Sequence, residues 1–163
     1  MPVEIERKFL VEGDAWRAGV RRRELFRQGY VAGGAACSVR VRTAGDKAWL
    51  GLKGRVQGAT RLEYEYEIPL HEGIEILDEL CAEGRLEKWR HWVPHAGHEW
   101  EVDEFLGANA GLIVAEIELD DEAEQFARPS WLGAEVTHDA RYFNSYLASR
   151  PWPQWRDAPE SAR

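Results

Sequence analysis

Residues 3–10 read Val3-Glu4-Ile5-Glu6-Arg7-Lys8-Phe9-Leu10, and charge falls on alternate positions at Glu4, Glu6 and Lys8. Side chains of a strand alternate between two faces, so this spacing puts all three on one face, about 6.6 Å apart along the strand. Val3, Ile5 and Phe9 take the opposite face, with Arg7 as its charged exception. The same period recurs along the chain. Arg40 and Arg42 alternate with Val39 and Val41, and Arg61, Glu63 and Glu65 interleave with Leu62 and Tyr64. Lys88 and Arg90, Glu101 and Asp103, and Glu116 and Glu118 follow, while Lys53 closes its own apolar stretch.

Eight such stretches are rich in Val, Ile, Leu and aromatic residues: 3–10, 24–32, 37–43, 47–53, 60–69, 85–93, 98–106 and 112–119. Turn clusters separate many of them, among them Gly33-Gly34, Ala44-Gly45-Asp46, Gly54 to Gly58 and His95-Ala96-Gly97. Short connections between eight strands predict a mainly β (α+β) fold, an antiparallel meander or barrel flanked by helices. Apolar spacing predicts helices over 71–82 and over 137–149, the second with Thr137 as N-cap. Weaker helical signals lie at 13–18 and 121–127. One domain is expected over 1–150. An irregular tail over 151–163 follows, with Trp152 and Trp155 docking back onto the body.

Composition narrows the function. The 163 residues carry 21 basic and 29 acidic groups, a formal net charge of −8. That average disfavours long nucleic acid, whose binding needs a positive field. No apolar run is long enough for a membrane span. The first residues lack the basic-then-apolar pattern of a secretory signal. Cys37 and Cys81 stand alone, without the spacing of a disulfide framework or a zinc site. A cytoplasmic, reduced protein is the expectation. His91, His95 and His98 straddle a turn and read as loop residues, and the glycines around Lys53 do not form a phosphate-binding P-loop motif.

What sets the strands apart is the sign of their charges. A solvated sheet face mixes polar residues, whereas these pairs are like-signed and repel one another. Acidic pairs suit a hard divalent cation with oxygen ligands. Basic pairs suit phosphate, and arginine's fork suits it best. If the sheet closes, Lys8, Arg40, Arg42, Lys53, Arg61, Lys88 and Arg90 face inward with Glu4, Glu6, Glu63, Glu65, Glu101, Asp103, Glu116 and Glu118. So many charges need a wet channel holding metal ions and a compact polyanion. A triphosphate with Mg²⁺ or Mn²⁺ meets that demand.

These residues resemble the CYTH domain, the triphosphate tunnel metalloenzyme superfamily. Its N-terminal E-x-E-x-K is similar to Glu4-Ile5-Glu6-Arg7-Lys8. Gln28-Gly29-Tyr30, Val39-Arg40-Val41-Arg42, Leu52-Lys53-Gly54, Arg61-Leu62-Glu63-Tyr64-Glu65 and Lys88-Trp89-Arg90 resemble its later strands in order. Trp100 to Phe105 and Ala115-Glu116-Ile117-Glu118-Leu119 resemble its acidic and closing strands, and Glu135 to Ser145 its C-terminal helix. The likeness runs from residue 3 to about 148. Gly51 departs from it, standing where relatives often carry threonine, and so does His138, where glycine is common.

The resemblance implies an eight-stranded antiparallel β-barrel forming an open tunnel. It also implies a divalent-metal-dependent hydrolase of a terminal phosphoanhydride, acting on a small triphosphate substrate, foremost inorganic tripolyphosphate. Substrate-binding candidates are Lys8, Arg40, Arg42, Lys53, Arg61, Lys88 and Arg90. Ligands for one or two Mg²⁺ or Mn²⁺ ions are Glu4, Glu6, Glu63, Glu65, Asp103, Glu116 and Glu118. Lys8 and Tyr30 are candidates for leaving-group or proton-shuttle roles. Arg61 and Glu101 read equally well as partners in tunnel salt bridges. Three alternatives stay open: a class IV-type adenylate cyclase, a thiamine or nucleoside triphosphatase, and a non-catalytic polyphosphate- or nucleotide-binding module. A second copy of the chain is a further candidate partner.

Overall fold

The computed structural model describes residues 2–34 and 36–159. All eight expected strands form: β1 (Val3–Val11), β2 (Arg22–Ala32), β3 (Cys37–Ala44), β4 (Lys47–Gly54), β5 (Thr60–Ile68), β6 (Arg85–His95), β7 (His98–Phe105) and β8 (Ile113–Glu118). Every pairing is antiparallel, in the order β5-β4-β3-β2-β6-β7-β8-β1, and a further β1–β5 pairing closes the barrel. A ninth strand, β9 (Leu132–Glu135), lies outside the expected set. Strand β1 uses one edge for β8 through Glu6–Leu10. Its other edge is shared, with β5 against Val3–Ile5 and β9 against Phe9–Val11.

The apolar core lies mainly outside the barrel. Phe9, Trp100, Val102, Ala115 and Ile117 project outward from β1, β7 and β8 and are wholly buried under Trp16 and Trp131. Edge-to-face contacts lock Trp100 against Phe9, Phe126 and Trp131 at 5.6–5.8 Å between ring centroids. At one end the inward positions also turn apolar. Leu86, Phe105 and Val114 pack there with Tyr142 and Leu147 from the C-terminal segment, and Trp152 and Trp155 dock on this cluster. Both tryptophans thus pack back onto the body as expected, within a segment that forms a 3₁₀ turn (Trp152–Gln154), while residues 160–163 of the expected tail lie outside the described residues.

Helix α1 (Leu70–Glu79) forms close to its expected bounds. It can sit on β3 and β4 because Gly73 has no side chain: a Cβ there would lie 2.5 Å from the Ala48 Cβ. The expected helix over 137–149 is broken. A 3₁₀ turn (Ala140–Tyr142) is capped by the Asp139 carboxylate, which accepts from the Arg141 backbone N–H. Phe143 is extended, with φ −68° and ψ 138°, and α2 (Asn144–Ser149) follows. Thr137 is not an N-cap; its Oγ1 accepts the Lys8 backbone N–H at 3.0 Å. The stretch 13–18 becomes a 3₁₀ turn (Ala15–Gly19), and 121–127 is not helical. Among the described residues no helix is long and apolar enough to cross a membrane.

Candidate active site

Closing the barrel turns the alternation of each strand into an inner wall. A cavity of about 250 Å³ is lined by Glu4, Glu6 and Lys8 of β1, Tyr30 of β2, Ser38, Arg40 and Arg42 of β3, and Lys53 of β4. Arg61, Glu63 and Glu65 of β5, Lys88 and Arg90 of β6, Glu101 of β7, and Glu116 and Glu118 of β8 complete the ring. Phe143, Asn144 and Ser145 reach it because the C-terminal helix is interrupted at Phe143. A larger cavity of about 650 Å³, beside α1, is lined by Leu70, Ile74, Leu77 and Leu86 and lacks this concentration of charge. A third, of about 600 Å³, adjoins it and shares Ser38, Lys53, Arg61, Phe143 and Ser145 with the charged cavity.

One side of the wall has an excess of carboxylate. Register places Glu6 directly opposite Glu118, and Glu101 opposite Glu116. Like charges facing each other across a ladder destabilise it. Burial, reinforced by Glu116, pushes the Glu6 carboxyl up to about 7. Burial and the neighbouring Glu4 and Glu101 raise Glu118 as well. Glu116 behaves oppositely. Against the cost of burial, Lys8 and Arg90 hold it well below the usual carboxylate range, with Lys8 Nζ donating to it at 3.0 Å.

These oxygens fit a hard divalent cation in their chemistry, and the raised Glu6 and Glu118 carboxyls show repulsion that their cationic neighbours only partly offset. Among the described residues no three candidate ligands converge on one point. Instead Glu6, Glu116 and Glu4 lie 3.4, 3.0 and 3.2 Å from lysine ammonium groups.

The facing side has an excess of cation. Arg42 is pushed down to about 9 by burial and by Arg40 and Arg90, and stays protonated at neutral pH. Its Nε donates to the Gln28 Oε1 at 3.0 Å. Lys53 is lowered by burial and by Arg40, against Glu4. Arg40 and Lys53 are paired with Glu65 and Glu4, whereas Arg42 is held by a neutral amide; buried guanidinium and ammonium groups of this kind have the chemistry that suits phosphate. Arg42 and Arg90 also lie over the Phe26 ring, at 4.6 and 5.1 Å from its centroid.

The wall thus brings together every expected site residue except Asp103. Asp103 is wholly buried behind it, accepting from Lys88 Nζ at 2.6 Å and from Arg90 Nε and Nη2 at 2.8 Å. Arg61 and Glu101 sit in ion pairs, with Glu4 and Arg90 respectively. Glu65 accepts from Arg40 at 3.2 Å, and Glu63 lies 3.8 Å from Lys53. Gln28 and Asn144 belong to stretches that carry the resemblance but have no predicted role, and both bond to residues of the wall. Gln28 shares the inward parity of Tyr30, which was the available signal. Asn144 follows a break that no residue pattern announced.

Comparison with known proteins gives a consistent answer. The family model described as CYTH domain matches residues 2–146. An inorganic triphosphatase from Acetivibrio thermocellus is 49% identical over 157 residues, covering 96% of this chain and 100% of that protein. An inorganic triphosphatase from Nitrosomonas europaea is 36% identical over 150 residues, covering 89% and 96% respectively. Among solved structures, that of the inorganic triphosphatase NE1496 superposes with a TM-score of 0.67 at 32% identity, covering 91% of this chain and 96% of the other.

Proposed function

The chain belongs to the CYTH domain family, and on that premise we propose that it hydrolyses the terminal phosphoanhydride of inorganic tripolyphosphate with Mg²⁺ or Mn²⁺. The observation that carries this is the inner wall itself: a carboxylate-rich arc and a cation-rich arc enclosing about 250 Å³. The full-length likeness to two inorganic triphosphatases supports it.

Phosphoryl transfer needs positioning and charge neutralisation more than covalent help from the protein. Arg40, Arg42, Lys53, Lys88 and Arg90 bind the phosphate oxygens and offset the charge that builds on the departing pyrophosphate. Glu4, Glu6, Glu116 and Glu118 would hold the divalent cation, with Glu63 and Glu65 as further carboxylates on the same wall. When bound, the cation would supply Lewis acidity toward the phosphate oxygens and the attacking water. Asp103 holds Arg90 and Lys88 in place from behind. A water attacks the terminal phosphorus, the bridging P–O bond breaks, and orthophosphate and pyrophosphate result. The Tyr30 hydroxyl and the Lys8 ammonium line the cavity as hydrogen-bond donors to the leaving oxygen.

Incubating the protein with tripolyphosphate or ATP, each with Mg²⁺ and Mn²⁺, tests this. Faster release of orthophosphate from tripolyphosphate than from ATP, without cyclic AMP, is the expected result. Cyclic AMP as the main product, or tight tripolyphosphate binding without turnover, overturns it.

A further inference from the structure

Gln28 is wholly buried, uncharged and absent from the reaction described above. Its amide nevertheless ties three groups of the cavity wall together. The oxygen accepts from Arg42 Nε at 3.0 Å. The nitrogen lies 3.3 Å from the Tyr30 hydroxyl and 3.4 Å from Asn144 Oδ1. Asn144 Oδ1 in turn accepts from Lys88 Nζ at 2.7 Å.

Donor chemistry leaves one orientation for this network. Guanidinium and ammonium only donate, so Arg42 must see the Gln28 oxygen and Lys88 must see the Asn144 oxygen. The Gln28 NH₂ then faces Tyr30, whose hydroxyl accepts from it. A hydroxyl that accepts there keeps its own proton for another partner. Tyr30 follows Gln28 by two residues on β2, and its side chain reaches the cavity wall.

The contrast with Asp103 gives this amide its meaning. Asp103 fixes Arg90 with a carboxylate and cancels much of its charge. Gln28 fixes Arg42 with a neutral oxygen. Among the described residues no carboxylate comes within ion-pair distance of Arg42. We propose that Gln28 is a positioning residue: it aims Arg42 at the substrate with its charge unspent, and it directs the Tyr30 proton into the cavity as a hydrogen-bond donor to phosphate. This rests on the triphosphatase reading.

Substitution by an isosteric carboxylate reverses both effects. Glutamate at this position pairs with Arg42 and draws the Tyr30 proton to itself. The test is kcat and KM for tripolyphosphate at saturating Mg²⁺, for wild type, Gln28→Glu, Tyr30→Phe and the double variant. Expected for Gln28→Glu are a KM about tenfold higher, the worth of one charge-assisted hydrogen bond, and a kcat lowered to the Tyr30→Phe level. Adding Tyr30→Phe to Gln28→Glu lowers kcat no further. A wild-type KM in Gln28→Glu overturns the proposal, as do kcat losses that multiply in the double variant. Should Gln28→Glu fail to fold by circular dichroism, Gln28→Met, with and without Tyr30→Phe, makes the same decision through kcat: losses that fail to multiply support the proposal and multiplying losses overturn it. Wild type inactive on tripolyphosphate overturns the triphosphatase reading itself, whereas active wild type with unresponsive variants overturns only the role of Gln28.

Discussion

The two faces of one strand behave as two different proteins. On β1 the outward Phe9 is wholly buried in an aromatic cluster with Trp100 and Phe126. Immediately on either side of Arg7, inward Glu6 and Lys8 stand among like and unlike charges around a cavity. Most barrels of this size fill their interior with side chains; this one keeps much of its core outside and gives the interior to charge. Stability is then carried by the outer layer and chemistry by the inner one, and the two can be perturbed separately.

The largest effect is expected outside. Trp100→Ala removes a fully buried indole and should cost about 3–5 kcal/mol, measured by urea unfolding. Activity per folded molecule should change little.

Inside, Glu116→Gln with Glu118→Gln should lower metal-dependent tripolyphosphate hydrolysis by about 10²- to 10³-fold, the scale for removing a charge-stabilising group. Thermal unfolding should separate the two positions: Glu118→Gln relieves a carboxylate facing Glu6 and should leave stability near wild type, whereas Glu116→Gln removes the partner of buried Lys8 and should lower it. Intact hydrolysis would remove both residues from the site.

A smaller effect tests the charged exception on the outer face. Arg7 donates to Glu135 at 2.6 and 2.8 Å, and these hydrogen bonds hold the Glu135 carboxyl below its ordinary value of 4.5. Depression of the folded-state value means the stabilisation is complete above pH about 4.5 and is lost as pH falls through the folded value. Both side chains are about a quarter exposed, so the contribution should stay under about 1 kcal/mol. Arg7→Met should flatten the acid limb of stability against pH by that amount.

The smallest effect concerns Gly51, which faces inward between Arg40 and Glu65. A Cβ there would meet its nearest atoms, on Arg40 and Tyr64, at 3.8 Å, an ordinary contact. Gly51→Ala should therefore stabilise by about 0.5–1 kcal/mol, through the unfolded chain, with kcat and KM nearly unchanged.

The eight barrel strands and nearly all the inner wall were legible because one period encodes both. Once Glu4, Glu6 and Lys8 share a face, closure alone brings them opposite Glu116 and Glu118. Where that period is absent, legibility ends. Strand β9 is four residues long and contains Gly133, whose missing side chain lets it approach the Leu10 carbonyl. Nothing in Leu132-Gly133-Ala134-Glu135 distinguishes it from a loop. Tyr142, Phe143, Tyr146 and Leu147 have helical spacing, yet the Asp139 cap and the extended Phe143 divide the segment. Asp103 has the right parity, but parity does not report depth, and it lies between Arg90 on one ladder and the apolar Val114 on the other.

The divided edge of β1 has a consequence for synthesis. Strand β1 is translated before its partners β5, β8 and β9, and the residues of β8 and β9 that pair with Lys8 and Phe9 lie more than a hundred residues downstream. Until Glu135 is translated, β1 has no complete set of neighbours, and its Ile5 and Phe9 await the outer layer. Closure of the barrel is therefore a late, non-local event, of the kind that slows folding and leaves strand edges exposed to other nascent chains.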